Sequence, residues 1–73
     1  MASSQDFQNA VNWAIEQEEK NLEGKKINVK NGNKINKSLL VRKVREYFNQ
    51  NNIEYATFSY QDLIPYLLQL FQS

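Results

Sequence analysis

The apolar positions near the start of the chain recur with the period of an α-helix. They form one stripe made of Phe7, Ala10, Val11, Ala14 and Ile15, which Leu22 extends. Ser3 or Ser4 is suited to cap this helix, and Asp6 lies in the first turn, where the helix dipole favours an anion. Gly24 indicates the end of the element. The pattern predicts a helix over about residues 5–22.

Polar and apolar residues alternate in the next stretch, residues 26–37. Asn31 and Gly32 lie at its centre, and this pair is a strong hairpin signal because both central residues of such a turn need positive φ. We expect a short β-hairpin over about residues 26–36. A two-stranded ribbon is marginal on its own, so an irregular basic loop is the alternative.

A second helix is predicted over about residues 38–50. Its apolar stripe consists of Leu40, Val44, Tyr47 and Phe48. The opposite polar face carries Arg42, Arg45 and Asn49, with Glu46 beside them. Lys43 lies at the edge of the stripe, where its stem can pack while its charge reaches water. Ser38 is the predicted N-cap, and the polar run 50–52 ends the helix.

The C-terminal third leaves two questions open. Residues 53–58 alternate and are rich in β-forming side chains, which favours a third short strand. Ser59 and Asp62 then resemble a capping box in which Asp replaces Glu. Pro65 allows either one kinked helix over 60–72 or a turn at 60–63 followed by a helix that begins at the proline.

These elements predict a mainly α fold. We expect one small domain, residues 1–73, that forms a compact three-helix unit. The short hairpin at about 26–36 would lie between the first two helices, and the third short strand at about 53–58 would precede the last one. A chain of 73 residues is too short for more than one ordinary domain.

Composition argues against chemistry and in favour of binding. The chain contains no Cys and no His, which removes disulfides, the usual zinc ligands and the commonest acid–base catalyst. Glu16, Glu18 and Glu19 spread around the outer side of a helix. We therefore expect a non-enzymatic protein with no metal, no cofactor and no small-molecule substrate. The N-terminus does not resemble a signal peptide and no run is long enough to cross a membrane, so we expect a cytoplasmic protein.

Charge is distributed unevenly along the chain. All nine basic residues lie within residues 20–45, where Glu23 is the only acid, so this segment carries +8 while the whole chain carries +1. Such asymmetry predicts an anionic partner, and nucleic-acid or other polyanion binding by a small regulator is the first hypothesis. The expected nucleic-acid-binding residues are Lys25, Lys26, Lys30, Asn31, Lys34, Lys37, Arg42, Lys43 and Arg45.

The alternative function is protein–protein interaction or homodimerisation through the apolar segment 60–71. Its side chains cover a wider arc than one core-facing stripe needs. The expected interaction residues are Trp13, Tyr66, Leu67, Leu70 and Phe71. The structural alternative is a central helix packed against both others, with Trp13 packed beneath the basic ribbon. Adsorption of the lysines to an anionic membrane is a third hypothesis, although no amphipathic basic helix supports it.

Overall fold

The computed structural model describes residues 1–21 and 36–72, which form three helices. Helix α1 is Ser4–Asn21, α2 is Lys37–Gln50 and α3 is Tyr60–Gln72. The described residues contain no strand, so the mainly α fold with short strands that was predicted from the sequence is corrected to three helices. The expected strand at 53–58 is wrong. The hairpin predicted at 26–36 falls on residues outside the described ranges, except for Asn36, which caps α2.

Residues 53–58 do not form a strand because their aromatic side chains pack into the core between the helices. Phe58 is buried, and its ring centroid lies 5.4 Å from that of Phe7 and 6.1 Å from that of Phe48. The Tyr55 ring lies 5.2 Å from Phe48. Strands need a neighbouring strand to pair with, and the described part of the chain offers none. The β-forming residues therefore anchor an irregular connection.

A serine and an aspartate three residues later are hydrogen-bonded at the start of both α1 and α3, and the pair is reciprocal in α1. The backbone N–H of Asp6 donates to Ser3 Oγ at 3.1 Å, and the N–H of Ser3 donates to Asp6 Oδ2 at 2.9 Å. Ser3, rather than Ser4, is thus the cap of α1. At α3 the N–H of Ser59 donates to Asp62 Oδ2 at 2.9 Å, which is the Asp half of the predicted box. The N–H of Asp62 donates to the backbone carbonyl of Ser59 at 3.0 Å instead of to its hydroxyl.

Helix α2 begins one residue earlier than the sequence predicted. Its cap is Asn36, whose side chain accepts hydrogen bonds from the N–H groups of Ser38 at 2.9 Å and Leu39 at 3.2 Å. Asn36 has extended backbone angles, as N-cap residues do. The prediction of Ser38 as the cap is wrong because Ser38 already lies within the first turn and donates to the true cap.

The end of α2 has the hydrogen bonds of a Schellman motif. The N–H of Ile53 donates to the carbonyl of Phe48 at 2.9 Å, and that of Asn52 donates to the carbonyl of Asn49 at 3.3 Å. Asn52 has φ of 55°, the left-handed conformation that this motif requires. Asparagine tolerates this conformation better than most residues. The polar run 50–52 therefore ends α2 as predicted, and it turns the chain toward Tyr55 and Phe58.

The core is formed by all three helices and the α2–α3 connection. Its buried members are Ala10, Val11, Ala14, Ile15, Leu40, Val44, Phe48, Phe58, Leu63 and Leu67. The half-buried Phe7 lies in the centre of the aromatic packing: its ring makes edge contacts with Phe48 and Phe58 and is stacked 5.5 Å from Tyr66. The stripes predicted for α1 and α2 are confirmed as the core-facing sides of those helices, apart from Leu22, which lies outside the described residues.

Helix α3 is continuous through Pro65, so the first of the two alternatives for this segment is the observed one. The carbonyl that loses its helical donor to the proline belongs to Gln61, four residues earlier. Both residues are exposed, so water can hydrate that carbonyl. One turn further, the Gln8 side-chain amide donates to the carbonyl of Tyr66 at 3.0 Å and ties α1 to α3. None of the described helices has the length and apolar character needed to cross a bilayer.

Candidate functional site

The outward side of α2 presents polar and basic side chains to solvent. We define the α2 outer face as four exposed residues, Ser38, Arg42, Arg45 and Asn49. At about 100° per residue they fall within an arc of roughly 60°. At about 1.5 Å rise per residue the face is roughly 16 Å long. It lies opposite the buried stripe of Leu40, Val44 and Phe48, so the packing of α2 fixes which side chains it presents.

Aromatic rings position two cations of α2: Arg45, which is on this face, and Lys37, which lies beside it. The guanidinium carbon of Arg45 lies 6.0 Å from the Phe58 ring centroid, and the ammonium nitrogen of Lys37 lies 5.2 Å from that of Tyr60. These distances suit cation–π attraction. Both residues remain exposed. Packing therefore restrains the two side chains on the side of α2 that faces residues 58–60, while leaving their charges accessible.

Arg42 is the least constrained cation of α2. It is exposed, and within residues 1–21 and 36–72 no acid pairs with it and no aromatic ring lies beneath it. Its guanidinium retains the planar array of donors that can form paired hydrogen bonds with a ligand.

Lys43 has a different role from the other basic residues of α2. Its ammonium nitrogen lies 5.9 Å from the Trp13 ring centroid and 3.9 Å from Glu46 Oε2, and only 23% of its side chain is exposed. Glu46 also accepts a hydrogen bond from the Gln50 amide at 3.3 Å. The predicted position of Lys43 at the edge of the apolar stripe is confirmed. Its charge is partly offset by Glu46, so it contributes less to the outer face than Arg42 or Arg45.

The N-terminus of α2 is already occupied by the protein itself. The Asn36 side chain accepts from two of the first N–H groups of the helix. These are groups that would otherwise be available to an anion. Recognition of an anionic ligand by α2 therefore depends on its side chains rather than on its terminus.

The structure describes only part of the basic segment predicted from the sequence. Lys37, Arg42, Lys43 and Arg45 all lie on α2. The other expected nucleic-acid-binding residues lie outside the described residues and are Lys25, Lys26, Lys30, Asn31 and Lys34. Among the described residues, no cluster of three or more acids is arranged to hold a metal ion.

The second predicted surface, in α3, contributes mostly to packing. Leu67 is buried, while Tyr66, Leu70 and Phe71 are half-buried against the core. Trp13 is also half-buried, with its ring 5.9 Å from Tyr47. Lys43 of α2 lies over the Trp13 ring, in the position that the sequence predicted for the basic ribbon.

Two exposed apolar residues of α3 were absent from the predicted interaction set. Ile64 is 37% exposed and Leu68 is 49% exposed, one helical turn apart. They lie on the edge of the apolar arc nearest to Gln61 and Pro65, which are also exposed. On a helical wheel, Ile64 and Leu68 lie next to the polar side of α3, and this position could have identified them from the sequence as exposed.

Comparisons with known proteins identified no relative of this chain. No protein-family model matches this chain, and no significant match was found among curated proteins or solved structures.

Proposed function

We propose that this protein binds nucleic acid through the α2 outer face. The observation that carries the proposal is the pair Arg42 and Arg45, which are exposed one turn apart on the solvent side of α2, beside the exposed Glu46. The nearest acid on α2 is Glu46, which is engaged by Lys43 and Gln50. The two arginines are therefore available to an anionic ligand.

The chemistry of this face suits a phosphate backbone. Guanidinium groups form paired, charge-assisted hydrogen bonds with phosphate oxygens, and a serine hydroxyl or asparagine amide adds neutral donors. The segment of residues 20–45 carries +8 in total. Binding of so many cations to a phosphate backbone displaces condensed counterions, which makes the affinity depend steeply on salt. The proposed activity is binding without a chemical step.

Titration of labelled DNA and RNA at low and at physiological salt tests this proposal. We expect affinity to fall steeply as salt rises, and the double variant Arg42→Ala, Arg45→Ala to lose about two units of the salt slope. The double variant Gln5→Ala, Asn9→Ala is the control, because it truncates two exposed side chains of α1 without removing a cation. Absence of binding to either nucleic acid at low salt would contradict the proposal.

The exposed pair Ile64 and Leu68 supports homodimerisation as a second candidate function. In a dimer built on this edge of α3, these side chains would leave water on association. The thermal midpoint would then rise with protein concentration, because association stabilises the folded state by mass action. Replacing both residues with Gln should abolish that dependence. A wild-type midpoint that is independent of concentration, with a monomer in sedimentation, would reject this candidate.

A further inference from the structure

Most of the aromatic rings of this protein pack against one another. In the described residues, none of the Phe, Tyr or Trp side chains is exposed. Tyr66 is stacked on Phe7, Tyr55 packs on Phe48, and Trp13 is in contact with Tyr47 and with Lys43. Proteins that bind single-stranded nucleic acid stack bases on accessible rings. Among the described residues, every aromatic side chain is buried or half-buried, so none presents a fully exposed ring to a base.

Helix α2 instead has the shape needed to enter a groove. Seven of its 14 residues are exposed, so about half of the helix circumference stands clear of the core. An α-helix with its side chains is about 10–12 Å across, and the major groove of B-form DNA is about 12 Å wide. The major groove of A-form RNA is too narrow and deep for side chains to reach its bases. The roughly 16 Å length of the α2 outer face matches about five base-pair steps of about 3.4 Å.

The side chains of this face fall into two groups by position. Of its four residues, Arg42 and Asn49 lie most directly opposite the buried stripe of α2, two turns apart, and neither is positioned by an aromatic ring of the described residues. Arginine pairs with the O6 and N7 atoms of guanine, and asparagine pairs with N6 and N7 of adenine. Arg45 and Lys37 lie toward the edge near residues 58–60, restrained by Phe58 and Tyr60. When a helix binds in the major groove, side chains at its edges lie close to the phosphate backbones that flank the groove.

We propose, resting on the function proposed above, that the ligand is double-stranded DNA and that α2 binds in its major groove. Arg42 and Asn49 contact base edges there. Arg45 and Lys37 contact phosphates and fix the orientation of the helix.

The first experiment compares three forms of one sequence: duplex DNA, single-stranded DNA and duplex RNA. Each competes against a labelled duplex for the wild-type protein. We expect duplex DNA to compete best. Tighter binding of single strands or of duplex RNA would overturn this inference while leaving nucleic-acid binding intact. Failure to bind any of the three would refute both proposals.

The second experiment separates base contacts from phosphate contacts. Sequence preference is measured by selection from a pool of random duplexes with the wild type, Arg42→Lys, Asn49→Ala and Arg45→Ala. We expect Arg42→Lys and Asn49→Ala to lose roughly 5- to 150-fold of discrimination at one base pair each. Arg45→Ala should keep the preference, bind all duplexes more weakly and lower the salt slope by about one unit. If Arg42→Lys and Asn49→Ala both retain the wild-type preference, or if the wild type shows none, the assignment of base contacts is wrong. Circular dichroism of each variant confirms that the helices remain.

Discussion

The ammonium nitrogen of Lys43 lies 5.9 Å from the centroid of the Trp13 ring, so a cation of α2 covers the tryptophan of α1. Tyr47 packs beside the same ring at 5.9 Å. Because the chain has one tryptophan, its fluorescence reports on the contact between these two helices. The same contact explains why Lys43, unlike Arg42, is directed away from the α2 outer face.

We expect Lys43→Ala to expose Trp13 without unfolding the domain. Removing the side chain takes away both its covering stem and its cation–π attraction, which contributes about 0.5–1 kcal/mol at exposed sites. Trp13 emission should shift to longer wavelength, and acrylamide should quench it more strongly. Arg42→Ala is the control and should change neither. Unaltered quenching in Lys43→Ala would show that the lysine does not cover the ring.

The cap of α2 can be tested by a pair of alanine variants. We expect Asn36→Ala to lower the free energy of unfolding by about 0.5–2 kcal/mol, because two N–H groups in the first turn lose their acceptor. Ser38→Ala should change it by no more than about 0.5 kcal/mol, since Ser38 is an exposed residue inside the helix. Urea denaturation measures both values. The opposite order would restore Ser38 as the cap.

The left-handed residue at the end of α2 should respond to the shape of its side chain. We expect Asn52→Val to destabilise the protein by about 1–2 kcal/mol, because a β-branched residue tolerates positive φ poorly. Asn52→Gly should be neutral or stabilising. Asn49→Val serves as the control at an exposed helical position, where the two residues have similar helix propensity. Equal unfolding free energies for Asn52→Val and wild type would contradict a positive φ in solution.

The carboxylate of Asp62 should matter more than that of another exposed acid. In α3 it accepts from the N–H of Ser59, and it lies at the positive end of the helix dipole. We expect Asp62→Ala to lower stability by about 0.5–2 kcal/mol, in the range of other helix caps. Glu54→Ala removes an exposed acid from the irregular connection and should cost no more than about 0.5 kcal/mol. If Asp62→Ala and Glu54→Ala lose equal amounts of stability in thermal denaturation, the cap does not stabilise α3.

The two sides of α2 should differ sharply in their effect on stability. Leu40 is fully buried, so Leu40→Ala should cost about 2–5 kcal/mol through lost burial and a residual cavity. That is a large share of the stability of a domain this small. Arg45→Ala should cost no more than roughly 0.5–1 kcal/mol, including its contact with Phe58. If Arg45→Ala unfolds the protein and Leu40→Ala does not, the assignment of inner and outer faces is reversed.

The sequence by itself determined the features that depend on neighbours along the chain. The stripes containing Val11 and Val44 were predictable because a helix repeats every 3.6 residues, whatever it packs against. The Ser59 and Asp62 cap was predictable because its partners are three residues apart. The outward position of Arg42 and Arg45 follows from the same periodicity, so the sequence alone is sufficient to identify these two members of the candidate site.

Tertiary structure decided the features whose local signals were ambiguous. The alternation in residues 53–58 suits either a strand or an anchored connection, and the contacts of Phe58 with Phe7 and Phe48 select the latter. Pro65 could begin α3 or lie within it, and the structure places it within the helix. Which apolar side chains of α3 stay exposed, and which cation covers Trp13, depend on how three helices share one core. No local pattern encodes that arrangement, because the partners in each contact come from different helices.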